Sequence, residues 1–444
     1  MKLIDIHNFR CFSQLKVNFT PGINLFIGDN ASGKTSLLTA AKYAINSFFA
    51  GFSDIYTTWT TPRKDDFMRS SSGEKRFSSM PIGIGFSYFS DEISGDDHFG
   101  LDSSEQSLIV KSEKNSRPLL TPLNALRQYG SSLVENQISK ADDGSFFQPY
   151  PLPLIASFST HGIHNKPKII AKYFSEFEQT PSFGYYLCSS TDGLLDHWIR
   201  RLLVLTEAGK NEVERSIVLE SLFNMFGPKG CNVMCDFHVL VNYKDVICYF
   251  NDGREVPVSI LSDGYKRLFS IVIDLAFRCA LLNSLKYGQD AAKLTRGTVI
   301  IDEIDLHLHP SLQSVVLKAL QHTFPNLQFL VSTHAPMVMT GVENNDRNCV
   351  QYLSYDPQKK EYLAILVNTF GMDLSTIAEA VLNVPKREPS VENELGRLMD
   401  LVDDEDYVNA YNLLSSMKER FGSRIPELTG IETQMTIEEA LRND

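Results

Sequence analysis

Residues 23–38 read INLFIGDNASGKTSLL, and this stretch decides the fold. Ile23 to Ile27 is nearly unbroken apolar sequence, as in a strand covered on both faces of a parallel sheet. Residues 28–36, GDNASGKTS, match G-x-x-x-x-G-K-[ST], and a helical pattern follows from about Lys34 to Phe48. Gly28 and Gly33 allow the bend that turns successive N–H groups toward one anion. Asp29, Asn30, Ala31 and Ser32, with Ser36 beyond the bend, complete the expected phosphate cradle. A helix starting at Lys34 aims its positive dipole end at the same point. Lys34 is expected to bridge the β- and γ-phosphates of ATP, and Thr35 to ligate Mg²⁺. Chance would produce the pattern in such a chain about one time in a hundred.

A second stretch, TVIIDEIDLHLHP at 298–310, runs four largely apolar residues into Asp302 and Glu303. Carboxylates at the end of a buried strand are costly unless they meet a cation or a water to activate. Asp302 is therefore expected to hold Mg²⁺ through water, and Glu303 to act as general base. His307 and His309 are two apart and do not share a helix face, which favours a turn or packing role. LQFLVSTHAP at 327–336 is another buried strand, ending in Ser332, Thr333 and His334. A histidine there lies on the ligand side of a doubly wound sheet, and His334 is read as a phosphate sensor. In LSDGYKR, 261–267, Ser262 suits an N-cap and Gly264 permits close backbone approach, giving a second anion-binding helix start.

The 444 residues carry a formal charge of −12, so bulk charge does not drive binding to nucleic acid. Candidates for a local basic face are Lys166, Lys168 and Lys172, or Arg200 with Arg201. Seven cysteines without a framework spacing fit reduced thiols in the cytoplasm. Cys235, Phe237, Val239 and Val241 alternate as one strand face, which disfavours a metal cluster of Cys231, Cys235 and His238. No secretion signal or membrane span is expected, and Phe269 to Leu282 reads as a buried helix. Residues 2–28 read as three strands. Residues 50–150 look irregular, with one strand at Ile82 to Phe89 and a polar, mobile run from Ser103 to Arg117. Pro151 to Ser159 resumes a buried strand. Helices are expected at Leu194–Leu205, Glu212–Phe226, Val391–Leu401 and Tyr407–Phe421, the last with Gly422 as its C-cap. A strand pair is expected at Asp236–Asn242 and Val246–Phe250.

In this order the motifs resemble the ABC-type ATPases of the SMC, Rad50 and RecF kind. GDNASGKT looks like Walker A, TVIIDE like Walker B, LSDGY like the signature motif and STHAP like the switch-histidine loop. IDLHLHP is similar to the D-loop and places Asp305 there. NFRCF at 8–12 resembles the segment whose arginine lies near the nucleotide, here Arg10. The resemblance implies a P-loop head with a mixed, mainly parallel sheet, a globular insert between Walker A and signature motif, and a short C-terminal helical hairpin. Its expected divisions are a first core half at 1–50, an inserted lobe at 51–254, a second core half at 255–384 and a partner-binding tail at 385–444. It implies a head-to-head dimer or higher oligomer around shared Mg·ATP, with Ser262 and Gly264 acting in trans. One departure is Tyr265, where the family carries Gln or Glu. TIAEAVLNV and the acidic DDEDYVNAYNLL look like the ATPase subunit of the bacterial Septu anti-phage system. That likeness implies a separate HNH-type nuclease partner, with DNA reached through it and no membrane contact. The alternative is a RecF/Rad50-like repair ATPase that binds DNA directly.

Overall fold

The computed structural model describes residues 1–52, 54–68, 80–89, 105–112, 115–159, 169–176, 180–190, 193–385, 387–422 and 425–442. The expected basic residues Lys166 and Lys168 lie outside them. Contacts divide the chain into two compact units, Met1–Asp373 and Leu374–Asp444.

The first unit opens with the hairpin of β1 (Leu3–Phe9) and β2 (Phe12–Asn18), which buries Ile4, Ile6 and Phe9. β3 (Ile23–Ile27) is buried at every residue and leads through the loop at 28–33 into α1 (Lys34–Asn46). α1 ends before Phe48 because the chain tightens into a 3₁₀ turn at Ser47–Gly51. β4 (Ile82–Ser87), β5 (Gln106–Ser112) and β6 (Asn115–Pro118) extend the hairpin into a five-stranded antiparallel sheet ordered β2-β1-β4-β5-β6. The run expected to be mobile at 103–117 thus supplies two strands. Its alternation buries Gln106, Leu108 and Val110, a period-2 pattern masked by polar neighbours.

α2 (Asn124–Glu135) and the small ladder of β7 (Ser139–Lys140) with β8 (Phe146–Phe147) precede β9 (Leu154–Phe158). α3 (Leu195–Ala208) and α4 (Glu212–Phe226) follow. β10 (Met234–Leu240), β11 (Asp245–Phe250) and β12 (Glu255–Pro257) form a three-stranded antiparallel sheet. A bulge between Met234 and Asp236 breaks the alternation expected of β10: Phe237 is buried, Cys235 is exposed, and Val241 lies outside the strand. No metal-holding cluster occurs among the described residues.

α5 (Asp263–Tyr287) is the long apolar helix. With its continuation to Leu294 it has the length and hydropathy of a membrane span, yet its apolar stretch is mostly buried inside the protein. α6 (Ala291–Leu294), β13 (Gly297–Ile301), α7 (Pro310–Gln313), α8 (Val316–Thr323), β14 (Leu327–Ser332), α9 (Pro336–Met339), β15 (Cys349–Asp356) and β16 (Glu361–Leu366) complete the unit. The central sheet runs β16-β15-β3-β14-β13-β9 and is parallel except at the edge pair β15–β16. This is the mixed, mainly parallel sheet expected, and the carboxyl ends of its five parallel strands share one edge.

One candidate for a basic face belongs to the core instead. Arg201 is buried on α3, where it pairs with Glu214 of α4 and donates to the Glu176 carbonyl at 2.9 Å. Lys172 is exposed and pairs with Glu176.

The second unit contains α10 (Leu374–Thr376), α11 (Pro389–Asp403), α12 (Tyr407–Phe421) and α13 (Pro426–Arg442). Ala410, Leu414 and Met417 form the buried stripe of α12, flanked by Tyr407 and Phe421, and Gly422 follows at φ 76°. The expected hairpin is in fact a three-helix assembly. Leu428, Ile431 and Met435 of α13 sit at helical spacing and close the core that Leu395, Leu398 and Val402 of α11 begin.

Candidate functional site

The loop after β3 is built on backbone that only glycine tolerates at two points. Gly28 has φ 141°, and a Cβ there would lie 2.4 Å from the Leu353 carbonyl. Gly33 has φ 95°, and its Cβ would meet the Phe12 ring at 2.6 Å. Asp29, Asn30 and Ala31 are exposed at the loop crest, Ala31 in the left-handed region at φ 65°, while Ser32 is buried. Lys34 folds back beneath the loop. Its Nζ donates to the carbonyls of Gly28 and Asp29 at 2.8 Å each and to Ser32 Oγ at 3.3 Å. Burial lowers its pKa to about 8, opposed by the carboxylates of Asp29, Asp302, Glu303 and Asp305. The ammonium thus stands in the field of the whole acidic group.

β14 lies between β3 and β13, so the loop, the acidic pair and the switch strand converge at one sheet edge. Thr35 Oγ1 donates to Asp302 Oδ1 at 3.3 Å, across 267 residues of sequence. Asp302 is buried, and its backbone N–H donates to the Phe158 carbonyl of β9 at 2.9 Å. Glu303 is half-buried in the left-handed region at φ 53°. Ser332 joins the two: its Oγ donates to Asp302 Oδ1 at 2.5 Å and accepts the Glu303 N–H at 2.8 Å. A hydroxyl and a carboxylate side by side next to a phosphate cradle are the hard oxygen donors Mg²⁺ takes, so Thr35 and Asp302 fit that ion.

Asp305 Oδ1 accepts from Thr333 Oγ1 at 2.6 Å and from the His334 N–H at 3.4 Å. The aspartate therefore anchors the turn that follows β14. His334 is exposed at the end of β14. His307 lies in the turn at φ 64°, and His309 caps α7 by accepting from Ser311 N.

Ser262 holds the N-cap position of α5 but makes no side-chain capping bond, and it is exposed. Gly264 packs on the turn after Walker B, where a Cβ would be 2.2 Å from the His307 carbonyl. Tyr265 turns aside to pack edge-on against Phe250, ring centroids 5.5 Å apart. Arg10, at φ 49°, pairs with Asp66 at 2.8 Å and reaches Thr39 Oγ1 at 3.3 Å. Thr39 is one turn along α1 from Thr35, whose carbonyl it caps at 2.6 Å. Ser36 hydrogen-bonds Cys11, whose thiol burial pushes up.

Tertiary structure thus joins Lys34, Thr35, Asp302, Glu303, Asp305 and the backbone of His334, and sets Arg10 one turn along α1. Gly264 is joined to the turn at 307, and Ser262 stands exposed at the start of α5. The motif reading assigned no role to Ser332, Thr333, Arg267 or Tyr352. Arg267 Nη2 donates to the Asp302 carbonyl at 2.7 Å. The Tyr352 hydroxyl bonds Asp29, and burial pushes its pKa up. Only the strand order, with β14 between the two motifs, could have singled out Ser332.

Comparison with known proteins adds four findings. The family described as "AAA domain, putative AbiEii toxin, Type IV TA system" matches residues 23–340. The chain is similar to the retron Vc95 probable ATPase of Vibrio cholerae serotype O1 biovar El Tor, 39% identical over 125 residues, 28% of this chain and 23% of that protein. It is similar to the Septu protein PtuA of Bacillus mycoides (strain KBAB4), 30% identical over 103 residues, 23% of this chain and 13% of that protein. The chain thus spans less than a quarter of the length of either curated relative. Among solved structures, the SMC head bound to the C-winged helix domain of ScpA is similar at 14% identity and a TM-score of 0.43, over 83% of this chain and 98% of that one.

Proposed function

This chain belongs to the AAA-domain family that matches residues 23–340, and on that premise we propose that it is an ATP-hydrolysing, ABC/SMC-like subunit that controls a separate nuclease in anti-phage defence. The observation that carries the reading is Thr35 Oγ1 at 3.3 Å from Asp302 Oδ1, beside the buried Lys34 ammonium. Two motifs far apart in sequence meet where a triphosphate and its cation would sit.

In this reading the N–H groups of the loop and the start of α1 hold the phosphates. Lys34 exchanges the carbonyls of Gly28 and Asp29 for phosphate oxygens. Mg²⁺, held by Thr35 and Asp302, would neutralise charge on the β- and γ-oxygens. Glu303 takes the proton of the attacking water, and His334 reads the γ-phosphate from the end of β14. Arg10 borders the site from Thr39. Exposed Ser262 at the start of α5, with Gly264, caps the ATP of a second copy, so that the dimer or larger oligomer shares its sites.

The similarity to a Septu protein and a retron ATPase supports the defence setting. The partner is read as an HNH-type nuclease, contacted through the acidic helices after residue 385, in the cytoplasm, with DNA reached through that partner. A head that grips DNA itself, as in RecF-like repair, has less support, because Arg201 is spent on Glu214 in the core.

The test is twofold. Purified protein should turn over ATP only with Mg²⁺ present, and co-expressed neighbouring reading frames should yield a nuclease whose activity changes with ATP. Absence of Mg-dependent turnover removes the enzyme assignment; a nuclease indifferent to ATP removes the regulatory one.

A further inference from the structure

The geometry points to Ser332 as a positioning residue that sets, from the neighbouring strand, the side chain of Asp302 and the backbone of Glu303. The inference rests on the nucleotide reading above and assigns a role beyond it.

β14 lies between β3, which leads into the phosphate loop, and β13, which leads into the acidic pair, and Ser332 is its last residue. Ser332 is fully buried. A hydroxyl has one proton to give and lone pairs to receive. Ser332 gives its proton to Asp302 Oδ1 at 2.5 Å and receives the Glu303 N–H at 2.8 Å. Its backbone carbonyl takes the Ile304 N–H at 3.1 Å. Three consecutive residues of the Walker B turn are therefore tied to one serine.

The middle residue of the three is the one in an uncommon conformation. Glu303 has φ 53°, a region that costs a non-glycine residue energy and persists where surroundings hold it. The hydroxyl supplies that hold. It also fixes the rotamer of Asp302, whose same oxygen faces Thr35. Alanine would keep the strand but leave the Glu303 N–H and Asp302 Oδ1 each without this partner. The direction of Asp302 toward a cation, and of Glu303 toward water, would then be lost while the phosphate loop stays whole.

The experiment compares wild type with Ser332→Ala and Ser332→Thr in the full chain. A fluorescent ATP analogue is titrated in EDTA, then Mg²⁺ is titrated at fixed analogue, and steady-state turnover is measured separately. In Ser332→Ala, affinity in EDTA should stay within about twofold, while the half-saturating Mg²⁺ rises and turnover falls, each by about 10- to 100-fold, the range seen for groups that orient metal ligands. Ser332→Thr, which keeps the hydroxyl, should recover most of the Mg²⁺ response. Half-saturating Mg²⁺ and turnover both unchanged in Ser332→Ala would overturn the role. Equal loss of binding in EDTA would overturn it too, since the serine would then be supporting the loop as a whole. A wild type that binds no nucleotide at all removes the parent reading, which an active wild type beside an unaltered Ser332→Ala does not.

Discussion

Arg267 Nη2 donates to the backbone carbonyl of Asp302 at 2.7 Å. The bond ties the start of α5 to the acidic pair that follows β13. A charged hydrogen bond of this kind contributes about 1.5–3 kcal/mol. Arg267→Ala should lower ATP turnover about tenfold and leave Mg-free nucleotide affinity within about twofold, checked by steady-state kinetics and fluorescence titration. Undiminished turnover would show that the carbonyl needs no anchor.

Lys34 is the residue on which nucleotide binding should depend most. Lys34→Ala should abolish measurable ATP affinity in calorimetry. The wild-type pH profile carries a further signature, because burial holds Lys34 near 8 against its ordinary 10.5. Between those values the unfolded chain keeps a proton that the folded, nucleotide-free loop has released. Stability without nucleotide should therefore rise with pH across that window. ATP affinity should move the opposite way, falling toward tenfold per unit well above pH 8, since binding must then take up a proton. A flat affinity from pH 7 to 9.5 would contradict the lysine's position in the site.

Glu303→Gln keeps the shape of the side chain and its backbone bond to Ser332 while removing the base. Hydrolysis should fall by about 10²- to 10⁴-fold with ATP still bound. If two copies share their nucleotides, ATP should also drive this variant into a dimer that size-exclusion chromatography resolves. Turnover equal to wild type would move the base elsewhere.

The Arg201–Glu214 pair makes a prediction about stability alone. Both residues are buried, and Nη2 also donates to Oε2 at 2.9 Å. Glu214→Gln strands a buried guanidinium, a change that costs about 3–5 kcal/mol. Thermal unfolding should drop by several degrees, whereas a replacement of both residues by apolar side chains of similar volume should recover much of the loss. A midpoint unchanged in Glu214→Gln would show the pair to be solvated.

The parts of the site that could be read in advance are those carried within one short segment. The loop at Gly28–Thr35 announces itself because strand, bend and helix start are consecutive, and each residue type answers a local demand. Asp302 and Glu303 stand out because two carboxylates ending an apolar strand need a partner. The strand at 106–112 was obscured by its polar residues Gln106, Ser107 and Lys111, although Leu108 and Val110 point inward. Arg201 misled for the opposite reason: an arginine beside another arginine looks solvated until α4 brings Glu214 to it.

Local chemistry, then, settled the phosphate loop, the acidic strand end and the parallel sheet that must carry both. Placing β14 between β3 and β13 was left to the folded chain, and with it the serine that grips Asp302 and Glu303, the Asp305 bond to Thr333 and the reach of Arg267. The division has one physical cause. Backbone conformation and apolar burial act along neighbouring residues, whereas a hydrogen bond needs its two atoms within about 3 Å and in line, a condition that residues some 30 or more apart meet only once the strands have taken their order.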